Sequence, residues 1–191
     1  MRKKAKILCM AGIISLSVFA AYWVYSGYRN AQGIILDTLD GVPVYNNGFF
    51  FTRSYGRHYA ADGYYYGKKW QCVEFIKRYL YDARGHQMPD VWGHAINFFD
   101  PALPDGDINL KRNMWQFRQG GSEKPLKGDL LVFSGISRYG HVAIIADVHD
   151  TDIEIVQQNL SPPRERIPLS IDKGFYYIEG KGALGWLRVR D

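Results

Sequence analysis

The sequence predicts an α+β domain in which helices come first and an antiparallel sheet follows, preceded by one apolar N-terminal helix. Three observations carry this: a charge-free run near the start, a helical period just after residue 72, and four apolar strand-like runs in the last third.

The N-terminal run from Ile7 to Tyr25 is 19 residues without a charge, and Arg2, Lys3, Lys4 and Lys6 precede it. Its length suits a transmembrane helix, and the basic residues ahead of it favour a cytoplasmic N-terminus. A cleaved signal peptide is the alternative, with Val18 and Ala20 at the small-residue positions before a cut. Tyr22, Trp23 and Tyr25 suit a membrane interface and favour the uncleaved anchor. The expected organisation is therefore a basic segment over 1–6, a transmembrane or signal-anchor helix over 7–25, a polar linker over 26–32 and one domain over 33–191. That places the domain on the periplasmic or outer face of the cytoplasmic membrane, or outside the cell if the leader is cut.

The second signal lies in Val73, Ile76, Leu80 and Ala83, which step by 3, 4 and 3 and are followed by Gly85. That spacing predicts an amphipathic helix starting near Cys72 and closed by a glycine cap. A second helix is expected near Val91 to Phe99. The third signal is the set of runs at 129–133, 141–148, 153–158 and 184–189, separated by Gly, Asp, Ser and Pro. The stretch from Gly48 to Lys69 is rich in Gly, Tyr and Phe without a helical period and reads as loop or irregular strand.

Charge excludes one class of partner. Beyond residue 6 twenty basic residues face nineteen acidic ones, so the domain's formal charge is +1. A nearly neutral body lacks the field that recruits a phosphate backbone, so no nucleic-acid partner is expected. A monomer is expected. The only cysteines are Cys9, inside the apolar run, and Cys72, so no disulfide forms within the domain. A solitary thiol in an oxidising compartment is either a buried apolar group or a thiolate in use.

Position favours use. A helix N-terminus presents unpaired backbone N–H groups and a positive dipole end, which ease ionisation of a thiol there and can hold a developing oxyanion. His141 opens an apolar strand. If the following hairpin turns near Asp150, Asn159 falls opposite His141 and Gln157 lies two residues along on the same face. An amide oxygen from Gln157 or Asn159 would then take the Nδ1–H of His141 and leave Nε2 to work on the thiol. Tyr65, Tyr66 and Trp70 are candidates to line a substrate groove. Glu74 reads as surface charge, and His58, His86, His94 and His149 have no constellation around them. Cys72 and His141 lack further ligands at metal spacing, and Ser134 and Ser137 lack a nucleophile elbow, so neither a metal site nor a serine hydrolase is expected.

The segments Gly67-Lys-Lys-Trp-Gln-Cys72-Val-Glu-Phe, Gly140-His141-Val-Ala-Ile-Ile and Ile155-Val-Gln-Gln-Asn159, in that order, resemble a CHAP domain (cysteine, histidine-dependent amidohydrolase/peptidase). The pattern is most similar to the amidase domain of bifunctional glutathionylspermidine synthetase/amidases and runs from about Gly33 to Arg190, including Gly185-Trp186. The resemblance implies a papain-like (NlpC/P60-like) fold, Cys72 as nucleophile, His141 as base, and Gln71 assisting the Cys72 N–H in an oxyanion hole, without cofactor. Where the family usually carries Glu, this chain has Gln157. An amide orients the imidazole without a carboxylate's charge, and Asn159 matches a further Asn of the family. The expected reaction is amide cleavage through a thioester. The expected substrate is a peptidoglycan peptide, the alternatives being a glutathionylspermidine-like conjugate or an inactive module that only binds.

Overall fold

The structure, a computed structural model, describes residues 14–24, 26–27, 31–48, 50–180 and 182–190. The expected basic segment, together with residues 7–13, Cys9 among them, and Tyr25 of the expected membrane helix, lies outside these residues. Residues 14–24 are helical and exposed, with the apolar side chains Leu16, Phe19 and Trp23 between 63% and 71% accessible. Among the described residues no helix is long and apolar enough to cross a membrane.

Two short hairpins precede the main helix: β1 (Ile35–Leu39) with β2 (Val42–Tyr45), and β3 (Arg57–Tyr59) with β4 (Tyr65–Lys68). The helix α1 (Cys72–Arg84) follows, then a 3-10 turn at Ala95–Phe98, β5 (Ile108–Asn109), β6 (Met114–Arg118), β7 (Leu130–Phe133), β8 (His141–Val148), β9 (Asp152–Val156), β10 (Arg164–Asp172), β11 (Phe175–Ile178) and β12 (Ala183–Val189). The last eight strands form one sheet in the order β11-β10-β9-β8-β7-β12-β6-β5, and every neighbouring pair is antiparallel. The α+β class and antiparallel sheet are as expected. The plural helices are corrected to one α-helix of the domain, because residues 91–99 supply only the four-residue 3-10 turn. There Arg112 draws the chain inward, donating to the carbonyls of Asp90, Trp92 and Asn97, and those oxygens are lost to an α-helical ladder.

The helix forms where its period predicts and for the same reason. Phe75, Ile76, Tyr79 and Leu80 are fully buried, each such side chain contributing roughly 1.5–3 kcal/mol of transfer free energy. Gly85 ends it in the left-handed conformation (φ 63°), and His86 donates back to the Leu80 carbonyl, a turn that a side chain at 85 would strain. Strands β7 and β8 read as continuous apolar runs because both faces are covered. Leu130, Val132, Val142 and Ile144 pack with α1, whereas Leu131, Phe133, Ala143 and Ile145 pack with Ile155, Ile167, Leu169, Ile178 and Trp186. This two-sided core fixes the register of β8, and so the place where His141 stands.

Candidate active site

Cys72 is the first residue of α1, and Gln71 is the N-cap in extended conformation, with no side chain bonded to the helix end. The orphan N–H groups of that first turn therefore remain for the sulfur. The half-buried Cys72 sulfur meets the backbone N–H of Val142, of Val73 and of its own residue. Val142 is the residue after His141, so the thiol and the start of β8 are in contact. Burial pushes the Cys72 thiol up to about 11, and these three N–H groups only partly oppose it. The N–H groups at the helix start ease ionisation but do not by themselves offset burial. Ionisation near neutral pH requires a base to receive the proton.

His141 is the buried first residue of β8, with its ring 6.2 Å from that of Phe133, the residue it pairs with on β7. Its Nε2 lies 2.9 Å from Gln157 Oε1. The Gln157 amide nitrogen donates to Pro162 O at 2.9 Å and to a Glu165 carboxylate oxygen at 2.5 Å. Both partners are acceptors, so the amide oxygen must be the end facing His141, and Nε2 of the ring must carry the hydrogen. The unprotonated nitrogen is then Nδ1. This reverses the expected roles of the two ring nitrogens: Nε2 is the oriented one and Nδ1 the basic one.

Near the strand start the expected hairpin register holds, with Ile144 opposite Val156 and Ile145 opposite Ile155 before a shift at Asp147. Gln157 therefore reaches His141. Asn159 does not share that surface. It leaves the strand with a left-handed backbone (φ 65°), and its amide donates to Gln71 Oε1 at 2.8 Å and to Phe51 O at 2.7 Å, while its oxygen accepts from Asn47 Nδ2 at 2.7 Å. Asn159 braces Gln71 rather than the imidazole. Gln71 is itself committed: its Nε2 donates to Phe51 O at 3.1 Å and Arg53 O at 2.6 Å. At the sulfur the donors present are backbone N–H groups, and the Gln71 amide serves the 51–53 loop.

Of the expected groove residues, Tyr65 is half-buried, with its ring 5.1 Å from Tyr59 and 5.2 Å from the exposed Trp92. Tyr66 has no surface to offer a substrate, being buried with its hydroxyl on Asp82. Trp70 is half-buried, 4.0 Å from the Tyr45 ring, and its backbone N–H donates to Asn47 Oδ1. It closes the base of the β1–β2 hairpin.

The sequence reading missed a buried network one turn into α1. Glu74 is fully buried and not surface charge: Oε1 accepts from His58 Nδ1 and Arg78 Nε, both at 2.7 Å, and Oε2 accepts from Gln158 Nε2 at 2.6 Å. Gln158 also donates to the Gln71 carbonyl at 3.1 Å. It thereby ties the N-cap of α1 to the segment carrying Gln157. Burial pushes the Glu74 carboxyl up, but His58, Arg78 and Gln158 together hold it below the usual range. A carboxyl that releases its proton at lower pH when folded adds stability above the unfolded value of about 4.3, and that stability fades as the pH falls further. Glu74→Ala leaves Arg78 buried without its anion, so a loss of about 3–5 kcal/mol is expected in denaturant unfolding. A loss under about 1 kcal/mol would mean the network is not holding the helix. The signal available in sequence was the Glu74–Arg78 spacing of four, which pairs opposite charges on one helix face.

Among the described residues no cluster of three or more His, Cys, Asp or Glu side chains is arranged to hold a metal ion.

A family model described as the CHAP domain matches residues 61–159 of this chain. The bifunctional glutathionylspermidine synthetase/amidase of Escherichia coli (strain K12) is 33% identical over 145 residues, which cover 66% of this chain and 23% of that protein. The trypanothione synthetase of Crithidia fasciculata is 32% identical over 123 residues, covering 62% of this chain and 18% of that one. The chain thus spans less than a quarter of the length of these curated relatives. Among solved structures, that of a wild type endolysin, LysIME-EF1, aligns with a TM-score of 0.40 and 23% identity, over 69% of this chain and 56% of that one.

Proposed function

From the premise that the chain belongs to the CHAP domain family and is a hydrolase acting on C–N bonds, we propose a papain-like cysteine amidohydrolase with Cys72 as nucleophile and His141 as acid and base. The observation that carries this reading is the meeting of the Cys72 sulfur with the start of β8, where the Gln157 oxygen holds His141 by Nε2 and leaves Nδ1 basic.

His141 Nδ1 takes the thiol proton, and the thiolate attacks the carbonyl carbon of a bound amide. The tetrahedral oxyanion forms beside the backbone N–H groups at the helix start. The amine leaves with the proton from Nδ1, giving a thioester on Cys72. Water, deprotonated by the same nitrogen, hydrolyses the thioester and releases the acid.

The favoured substrate is a peptide of the cell wall. It is supported by the charge-free run 7–25 behind basic residues, which would anchor the domain at the cytoplasmic membrane with the catalytic face outside. A second reading, a peptide–polyamine conjugate, is supported by the 33% identity to a glutathionylspermidine synthetase/amidase. Incubation of the protein with muropeptides and, separately, with glutathionylspermidine, followed by mass spectrometry, separates the two. New muropeptide fragments with an intact conjugate support the wall reading, and the converse supports the second. Turnover of neither, with saturable muropeptide binding, would favour an inactive binding module.

A further inference from the structure

The amide of Gln157 stands where a carboxylate would supply charge to the imidazole, yet a carboxylate is present one bond further out. Glu165 on β10 pairs with Ile155, two residues before Gln157, so the two side chains are diagonal neighbours on one sheet face. The result is an unbroken line from His141 Nε2 to Gln157 Oε1 (2.9 Å) and from Gln157 Nε2 to Glu165 Oε1 (2.5 Å). We propose that Glu165 is the displaced carboxylate of this site, a positioning residue that locks the Gln157 amide with its oxygen toward His141 and, through that amide, stabilises the imidazolium. The inference deepens, and rests on, the reading of Cys72 and His141 as an acid–base pair.

Two physical effects support it. Without a fixed partner the amide can turn over, because its oxygen and nitrogen are nearly the same size. The turned amide would present N–H to Nε2, force the ring proton onto Nδ1 and abolish the base. Glu165 prevents this, since turning would set the amide oxygen against a carboxylate and the Pro162 carbonyl. The second effect is electrostatic. An amide that donates to an anion is polarised, and its oxygen becomes a better acceptor from a protonated ring.

Arg164 and Arg166 flank Glu165 along β10, and alternation sends them to the other face. Arg164 pairs there with Asp37 and Glu154, and Arg166 lies 3.7 Å from Asp152. The Phe133 ring lies 6.2 Å from the imidazole, and the Cys72 thiol meets the backbone N–H of the next residue, Val142.

The test compares the wild-type chain with Glu165→Gln and with the exchange Gln157→Glu/Glu165→Gln. The single variant keeps the shape and removes the charge. The exchange moves the charge to the position facing His141 and reverses the bond between residues 157 and 165. Gln157→Glu alone is uninformative, because it sets two carboxylates in contact and one must hold a proton.

The readouts are the His141 imidazole titration by NMR in a Cys72→Ala background, and the neutral-pH rate of Cys72 alkylation by iodoacetamide resolved by peptide mass spectrometry. For Glu165→Gln the imidazole midpoint should fall by roughly one pH unit and alkylation by about tenfold, as for loss of one charge at this remove. The exchange should recover both. An unchanged midpoint in a folded Glu165→Gln variant overturns the proposal, as does a folded exchange variant whose midpoint stays low. If the midpoints move as expected while Cys72 is inert in every chain, the relay stands and the catalytic reading falls.

Discussion

Cys72→Ala should abolish amide hydrolysis and trap no covalent intermediate, while leaving the fold intact. The sulfur is the only atom at the helix start able to form an acyl bond, and the alanine side chain fits the half-buried position without a clash. The expected loss is at least about 10³–10⁴ in rate, the scale set by removing nucleophilic and acid–base catalysis together. Thermal unfolding should shift little. Retention of turnover would locate the chemistry elsewhere. A second variant sharpens the point: Cys72→Ser keeps a hydroxyl in the same place but has no ionisable group that His141 can discharge at neutral pH, so it too should be inactive.

The second large effect concerns folding. Gly185 lies in β12 between β6 and β7, at φ 148°, and a side-chain carbon there would run into the Phe117 carbonyl oxygen, lie 2.8 Å from the Phe99 ring and 3.0 Å from Arg118 Cα. None of these can yield cheaply, because two are backbone atoms of the paired strand and the third is a buried ring. Gly185→Ala should therefore cost more than about 4 kcal/mol, the range reserved for overpacked cores and strained backbone. The variant is expected in the insoluble fraction or with a much reduced denaturation midpoint. Near-normal stability would mean that β12 does not pack between β6 and β7 as described.

The elements legible in the sequence are those whose burial is complete and whose period is clean. Helix α1 shows its 3.6-residue period and its glycine cap, β7 and β8 show apolar runs because two-sided packing leaves no polar alternation, and β9 shows the alternating Ile153 and Ile155 of a strand with one buried face. The short hairpins β1–β2 and β3–β4 and the pair β10–β11 were not legible. They are short or mostly exposed, with β3 burying no residue and β1 only its last, and Pro168 interrupts β10.

At the site, Cys72 and His141 were readable as candidates from their places at a helix start and a strand start. The nitrogen roles of His141 were not readable, because they follow from Glu165, which lies 24 positions away and reaches the ring through Gln157. Glu74 misled for a similar reason. A lone carboxylate reads as surface charge until His58 and Gln158, 16 positions before it and 84 after, are folded onto it. Strand alternation makes Asn159 one of two candidate partners of the imidazole, and the left-handed turn at its own backbone sends it to Gln71 instead.

In the proposed mechanism, a sulfur that burial makes a poor acid is ionised because His141 receives its proton. Iodoacetamide alkylation of Cys72, followed from pH 5 to 11 in the wild-type chain and in His141→Ala, measures this directly. The wild-type sulfur should react at a high and nearly level rate through neutral pH, whereas in His141→Ala the rate should stay low and climb only toward about 11, where burial sets the lone thiol. Identical profiles in the two chains, both climbing only at high pH, would contradict the account.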